Sequence, residues 1–167
     1  DEGFLKEVGP SLTNLISDSN RDIRLKTANL LSLMVQLNSS EKLLNQLNQE
    51  KDGQVKMALF TALGGACDYA FSPNSGIKLD PAIKKQTLQW ATKFLNSADP
   101  VQAQKGAEVM EKLLMRDSLQ EKEVEIYFNN LASRYQAEGG NKEFKANLLN
   151  VCATLCAQSK YKQQAIS

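Results

Sequence analysis

The chain has 167 residues, of which 42% are hydrophobic and 23% are charged, a composition typical of a globular domain and not of a disordered segment. Its 20 basic and 19 acidic residues leave a formal net charge of +1, which disfavours a dedicated nucleic-acid-binding module because such modules carry a clear basic excess. The sequence contains no histidine, so catalysis by histidine and zinc sites that contain histidine are excluded.

Three cysteines, Cys67, Cys152 and Cys156, form no CxxC pair, and their odd number disfavours a disulfide framework and favours a reducing compartment. We interpret Cys152 and Cys156 as core residues on one helix face; a redox pair or half of a metal site is the alternative. No apolar run reaches the length of about 20 residues that a membrane span requires. The chain lacks a signal-peptide pattern and an initiating Met, so we expect a domain of a longer protein, with a processed form as the alternative.

The first repeat is predicted to be a pair of helices over residues 4–38. Apolar residues at three- and four-residue spacing form one face of the first helix, and Pro10 is expected to kink or restart it. The following turn contains Asp22, which we predict to be the N-cap of the second helix. The buried stripe of that second helix is predicted to comprise Ile23, Thr27, Leu30, Leu31 and Met34.

The second repeat, residues 39–70, combines a short leucine-rich helix with a longer one that begins after Asp52. This longer helix contains Gly64 and Gly65, each of which costs a helix roughly 1 kcal/mol relative to alanine. We interpret the glycine pair as a place where a neighbouring helix backbone approaches closely, and a functional hinge is the alternative. Residues 71–80, which are rich in turn-forming residues, are predicted to be a long loop.

Residues 81–116 and 118–158 are predicted to form two further helix pairs. Asp80-Pro81 and Asp99-Pro100 each place a cap residue before a proline at the first helical position. The sequence shows no sustained alternation of the kind that strands require, and the polar tail, residues 159–167, is expected to fray. We therefore predict an all-α fold with about four antiparallel helix pairs.

The second helices begin with a recurring sequence motif. After a helix-breaking turn, a β-branched or aromatic residue precedes a basic or polar one. The segment Pro10–Leu31, with Asp18 in its turn and Ile23-Arg24 after it, resembles a HEAT repeat. The segment Asp52–Gly64 resembles this repeat with lysine in place of the arginine. The third and fourth copies keep the spacing and lose most of these residues. The resemblance covers most of residues 8–158.

The resemblance implies an α–α superhelix, and we expect residues 1–158 to form one HEAT-like solenoid domain. In this family the turn aspartate and the helix arginine form a ladder between neighbouring repeats. Here this implies a ladder role for Asp18 and Arg24 and, in part, for Asp52 and Lys56. Because the later copies depart from the pattern, an armadillo-like or divergent HEAT array is the alternative.

The resemblance also implies that a protein partner binds to one curved face lined by the second helices. We therefore expect a non-catalytic interaction scaffold that requires no cofactor or metal and is a monomer as an isolated domain. The candidate contacts are second-helix residues that point away from the predicted core: Lys26, Asn29, Lys56, Phe60, Lys105, Glu108, Asn147 and Asn150. An ordinary solvated face is the alternative for each of them, and Phe60 could instead pack against the next repeat.

Loop 71–80 is a second candidate for recognition, through Phe71, Asn74 and Ile77, because long loops inside compact arrays are often functional. A tolerated insertion is the alternative. A different function class is a HEAT-like fold with an enzymatic or nucleic-acid-binding role, such as the DNA-glycosylase or pigment-lyase families that resemble HEAT arrays. That class needs a concave basic groove with a buried carboxylate or aromatic pair, and the balanced charge argues against it.

Overall fold

The computed structural model describes residues 2–35, 39–72, 75–115 and 121–158, and within these ranges the chain is all-helical and contains no strand. The all-α prediction is therefore confirmed. The helices of the described ranges are, in chain order, α1 (Glu2–Asn14), α2 (Arg21–Leu33), α3 (Ser40–Gln49), α4 (Gly53–Ala70), α5 (Pro81–Leu95), α6 (Pro100–Leu114), α7 (Glu121–Ala137) and α8 (Lys142–Gln158).

The chain divides into two compact units, residues 1–87 and 88–167, and the division falls inside α5. In the first unit α2 and α3 both pack against α4. A short 3-10 turn, Leu15–Ser17, follows α1 and packs against α2. Helix α1 runs through Pro10, so the predicted restart at this residue does not occur. The core of this unit is dominated by fully buried aliphatic side chains: Leu31, Leu43, Leu47, Leu59 and Leu63.

Side-chain caps begin several of these helices. Ser39 caps α3, while Asp52 and Asp99 each accept two backbone N–H bonds at the starts of α4 and α6. The cap of α2 is Asn20, whose side chain accepts the backbone N–H of Asp22. The prediction that Asp22 is the cap was wrong, because the first helical turn begins before it.

Helix α2 buries a narrower side than its sequence suggested. Thr27 and Leu31 are buried as predicted, but Ile23 and Leu30 are 38% and 42% exposed. Ala28 faces the packed side, and Leu30 lies about 200° from it around the helix, which places Leu30 on the opposite surface. The prediction that Ile23 and Leu30 belong to the core was therefore wrong.

In the second unit α6 and α7 both pack against α8. Helix α6 also approaches the backbone of α5 at Gly106, where a Cβ atom would lie 2.7 Å from the carbonyl oxygen of Ala91 and 2.9 Å from the Cα atom of Leu95. Only glycine permits this approach, because any other residue would place a side-chain atom inside the neighbouring backbone.

Gly65 of α4 has a different environment from the one predicted for the glycine pair. A Cβ atom on Gly65 would lie 2.6 Å from Cγ1 of Val35, which is the end of a side chain and not a helix backbone. The predicted close approach of a neighbouring helix backbone is therefore not found at Gly65, whereas Gly106 shows one.

Candidate interaction surface

The second helices α2, α4, α6 and α8 share an unburied polar position. Counted from the first residue of each helix, the ninth residue is polar and is exposed or partly exposed in all four: Asn29, Thr61, Glu108 and Asn150. Residues at the same count from the helix start point to the same side of each helix. Each unit therefore has two polar side chains at matching positions of its two second helices. The first unit presents Asn29 with Thr61, and the second presents Glu108 with Asn150.

Most of the predicted contact residues reach solvent. Lys26, Asn29 and Asn150 are exposed, and Lys56, Lys105, Glu108 and Asn147 are partly exposed.

Phe60 is the exception, because its side chain is 0% exposed. It is the eighth residue of α4, and the eighth residues of α2 and α6, Ala28 and Ala107, are fully buried as well. The eighth position is thus buried in α2, α4 and α6, although its equivalent in α8, Leu149, is 53% exposed. Phe60 is a core residue and not a partner contact. Its neighbours Met57 and Thr61 are the partly exposed residues of this turn.

Two of the predicted contacts neutralise each other. The ammonium group of Lys105 lies 2.5 Å from Oε2 of Glu108, and the side-chain amide of Gln104 donates to the same carboxylate at 3.3 Å. Their charges are therefore compensated on α6 itself, which makes the surface of this helix polar but not strongly charged.

The strongest electrostatic feature of the first unit joins α2 to the turn before α4. Nε and Nη2 of Arg24 lie 2.7 and 3.1 Å from the two carboxylate oxygens of Glu50. Glu50 is buried, and it also accepts the backbone N–H groups of Lys51 and Asp52 at 2.9 and 3.0 Å. The hydrogen bond from Arg24 is the main reason that the pKa of Glu50 falls from 4.5 to about 2; the backbone donors add to this effect and burial opposes it.

A second ion pair runs beside the first. Nε of Arg21 lies 3.2 Å from Oδ2 of Asp52, and the Arg21 guanidinium also contacts the side chain of Gln54. Because Asp52 caps α4, the pKa of its carboxyl group is lowered first by the backbone N–H of Val55 and then by Arg21. Asp52 thus both caps the start of α4 and forms an ion pair with Arg21 of α2.

These contacts differ from the ladder pairs that the HEAT resemblance implied, Asp18 with Arg24 and Asp52 with Lys56. Arg24 contacts Asp18 only at its backbone carbonyl, at 2.9 Å, and its guanidinium group binds the carboxylate of Glu50 in the turn before α4. Asp52 pairs with Arg21 of α2, and Lys56 forms no ion pair in the described part of the chain. Sequence reasoning missed Glu50, and its position two residues before the cap Asp52 was the signal that could have found it.

Loop 71–80 contributes a shallow groove to the first unit. The ring of Phe71 is half-buried and lies 5.8 Å from the ammonium group of Lys84, whereas Ile77 is 43% exposed. Asn74 lies outside the described residues. The groove has a volume of about 520 Å³ and is lined by the loop and the starts of α3 and α5, including Ser40, Glu41, Ile77, Lys78, Leu79 and Asp80. Its lining mixes both charges with apolar side chains.

Two further observations concern the described residues alone. None of their helices is both long enough and apolar enough to cross a bilayer. Within the same ranges, no three His, Cys, Asp or Glu side chains come together in a group that could hold a metal ion. Searches of the sequence against protein-family models and against curated proteins gave no match.

Proposed function

We propose that this protein is a HEAT-like α-solenoid that serves as a non-catalytic scaffold for a protein partner. The observation that carries the proposal is a turn that recurs in the same register before α2, α4 and α6. In each turn the backbone N–H of the capping residue is bound by the side chain two residues earlier, at 2.7, 3.0 and 3.2 Å: Asn20 by Asp18, Asp52 by Glu50 and Asp99 by Ser97. The recurrence of this turn before three second helices supports a unit of two helices that repeats along the chain.

Stacking of repeats supports the scaffold function because it leaves one face of every second helix free. In the first unit α2 packs directly on α4, which brings Asn29 and Thr61 to equivalent positions of adjacent helices. In the second unit α6 packs on α8, which does the same for Glu108 and Asn150. Repeat proteins use such continuous faces to bind extended partners.

The chemistry of this face suits an extended peptide. An asparagine side chain offers both a donor and an acceptor, which matches the N–H and C=O groups of a peptide backbone. Asn29 and Asn150 are exposed and Asn147 is partly exposed, so each unit presents at least one amide. We therefore propose an extended segment, bound through its backbone, as the partner.

The test is a pull-down at low and at moderate salt with the purified chain as bait. The variant Asn29→Ala/Thr61→Ala removes the polar pair of the first unit, and the control variant Glu41→Ala/Asn45→Ala removes two exposed polar side chains of α3. We expect a discrete protein partner that the control retains and the second-helix variant loses. Far-UV circular dichroism of both variants verifies that the helices are intact.

Three results would contradict this proposal. Equal loss of the partner with both variants would show that binding does not use the second-helix face. Loss with the control alone would place the partner on the first helices. Nucleic acid in the low-salt eluate, without a protein partner, would favour the HEAT-like nucleic-acid-binding class instead, because backbone-directed binding of nucleic acid weakens steeply with salt.

A further inference from the structure

The end of loop 71–80 is a straight segment with free backbone groups. From Gly76 to Asp80 the chain forms neither a helical turn nor a bend. Among the described residues, no hydrogen bond engages the backbone N–H or C=O group of Lys78 or Leu79. Lys78 is exposed and Leu79 is partly exposed, so these groups are open to solvent. A straight segment with unpaired N–H and C=O groups is a template for the backbone of a second extended chain.

Both ends of this segment are anchored. Oγ of Ser75 donates to the carbonyl oxygen of Ala70, the last residue of α4, at 3.1 Å, and accepts the backbone N–H of Ile77 at 3.2 Å. At the other end, the Asp80 carboxylate accepts the backbone N–H of Ala82 at 2.7 Å, at the start of α5. The residues between the two anchors are therefore held in place before a partner binds, which lowers the entropy cost of binding.

The segment forms one wall of the groove that the loop makes with the starts of α3 and α5. We call this cavity the loop groove; all of its lining residues lie in the first unit, and none comes from either end of the chain. Its volume of about 520 Å³ is usual for a ligand site, for which the range is about 300 to 1,000 Å³. Its larger apolar side chains are Leu44, Ile77, Leu79 and Ile83. Apolar contacts beside free backbone groups are the combination by which proteins hold an added strand.

The charged side chains of the loop groove leave it with an acidic excess. Glu41 and Asp80 line it together with a single base, Lys78. None of the three forms an ion pair within the described ranges. An occupant with a basic side chain therefore complements the loop groove better than an acidic one.

We propose that the loop groove binds an extended segment of a protein partner, which carries a basic side chain two residues away from an apolar one. Alternate side chains of an extended chain point the same way, so this spacing brings both into the loop groove. The N–H and C=O groups of Lys78 and of Leu79 point to opposite sides of their segment, and one of the two residues pairs with the partner's backbone. The inference goes beyond the proposed function because it adds a site outside the second helices and does not depend on their surface.

The experiment is an NMR titration of the isotope-labelled chain with the peptide acetyl-Thr-Val-Thr-Lys-Thr-amide. We expect a dissociation constant on the order of 1 mM, because so short a peptide makes few contacts. The amide signals of Glu41, Asn45 and Leu79 should move, and those of Asn29 and Thr61 should stay in place. The same peptide with every backbone nitrogen methylated should bind about 10-fold more weakly, because it donates no backbone hydrogen bond. Glutamate in place of its lysine should weaken binding about threefold.

Proline and alanine at the same position isolate the contribution of the backbone donor. Lys78→Pro and Leu79→Pro each remove an N–H group that the described chain leaves unbonded, whereas Lys78→Ala and Leu79→Ala keep it. We expect one proline variant, at the residue that faces the partner, to bind the peptide about 10-fold more weakly than its alanine counterpart. Lys85→Ala, at an exposed position of α5 outside the loop groove, should bind as the wild type does. Far-UV circular dichroism verifies that each variant is helical.

The inference is overturned if no signal moves at a peptide concentration of about 10 mM, ten times the expected dissociation constant. It is equally overturned if the methylated peptide binds as tightly as the unmodified one, a comparison that needs no variant to fold, or if both proline variants bind like their alanine counterparts. Signals that move only at Asn29 and Thr61 would overturn it and would support the second-helix surface instead. Binding in the loop groove, in turn, would stand even if the pull-down found no partner for the second helices.

Discussion

In the first unit, α2 is joined to the turn before α4 by charged side chains, whereas the second unit has no equivalent ion pair in its described turns. Ser97 occupies the position of Glu50 and bonds to Gln102 at 2.9 Å. The second unit relies instead on contact with the helix backbone. Nε of Arg134, on α7, donates to the carbonyl oxygen of Leu95 at 3.1 Å, and Gly106 brings α6 against the backbone of α5.

This difference shows that one repeated turn geometry can be stabilised by two kinds of interaction with different tolerances. Long charged side chains adjust to small changes in helix spacing but depend on protonation. Two backbones in direct contact are insensitive to protonation but leave no room for an added atom. We therefore expect the first unit to respond mainly to changes of charge and pH, and the second unit mainly to changes of volume.

The largest effect is expected for Gly106→Ala, which should lower the free energy of unfolding by about 3 kcal/mol because α5 and α6 must separate. The measurement is urea denaturation. The matched control is Gly65→Ala, where the Val35 side chain can rotate away and the cost should stay below about 1 kcal/mol, partly offset by higher helix propensity. Equal costs for the two glycines would remove the proposed difference between the units.

The next largest effect is expected for Glu50→Gln, at about 2 to 3 kcal/mol, because a buried pair loses its charge and an amide NH₂ replaces an acceptor of backbone hydrogen bonds. Glu41→Gln on the exposed side of α3 is the control and should change stability little. In a double-mutant cycle with Arg24→Met, the double variant should lose much less unfolding free energy than the sum of the two single losses. Additive costs would mean that Arg24 and Glu50 act independently.

The pH dependence of stability is a further test of the role of Glu50 in the first unit. The pKa of Glu50 in the folded chain is about 2, below its ordinary value of 4.5, so the unfolded chain takes up this proton first as the pH falls. The stability that Glu50 contributes is therefore fully present above pH 4.5 and is lost progressively toward pH 2. The difference in melting temperature between wild type and Glu50→Gln should shrink over that window. A constant difference down to pH 2 would contradict it.

A smaller, chemical difference is expected between the cysteines of the two units. Burial raises the pKa of Cys67 from 9.0 to about 11, so at pH 8 iodoacetamide should label it about 100-fold more slowly than in the unfolded chain. Glu50→Gln should raise the labelling of Cys67 selectively, and Gly106→Ala that of Cys152, which mass spectrometry of tryptic peptides can measure. Equal acceleration of both cysteines by either variant would indicate that the units open together.

The smallest effect is expected for Lys93→Ala. Nζ of Lys93 lies 4.3 Å from the centre of the Trp90 ring, and loss of this contact should cost about 0.5 kcal/mol. Because Trp90 is the only tryptophan, its fluorescence reports on the second unit alone. Lys85→Ala, an exposed change in the first unit, should leave the emission spectrum unaltered. A shifted spectrum with both variants would argue against a local effect.

Periodicity and turn chemistry predicted most of the helices, because both signals are local. The starts at Pro81 and Pro100 are confirmed, since a cap residue before proline leaves the backbone few other conformations. The side of a helix that is buried depends on distant neighbours, and there the predictions failed. Leu30 belongs to the apolar stripe of α2 but faces away from α4, and Phe60 looked like a surface anchor but fills the core.

The candidate surface was predicted in part for the same reason. Asn29 and Asn150 follow from counting along a helix, and the structure leaves both exposed. Glu50 and Gly106 escaped attention because their importance depends on a partner that is 26 residues away in one case and on a neighbouring backbone in the other. A single sequence shows the residue but not the contact.

The Arg24–Glu50 and Arg21–Asp52 contacts span only 26 and 31 residues of chain. Short spans of this kind cost little chain entropy to close, so contacts between α2 and the start of α4 form quickly. As the chain emerges from the ribosome, the pairing of α2 with α4 needs nothing that is synthesised after α4 itself. We therefore expect the helices of the first unit to begin folding while those of the second unit are still being translated.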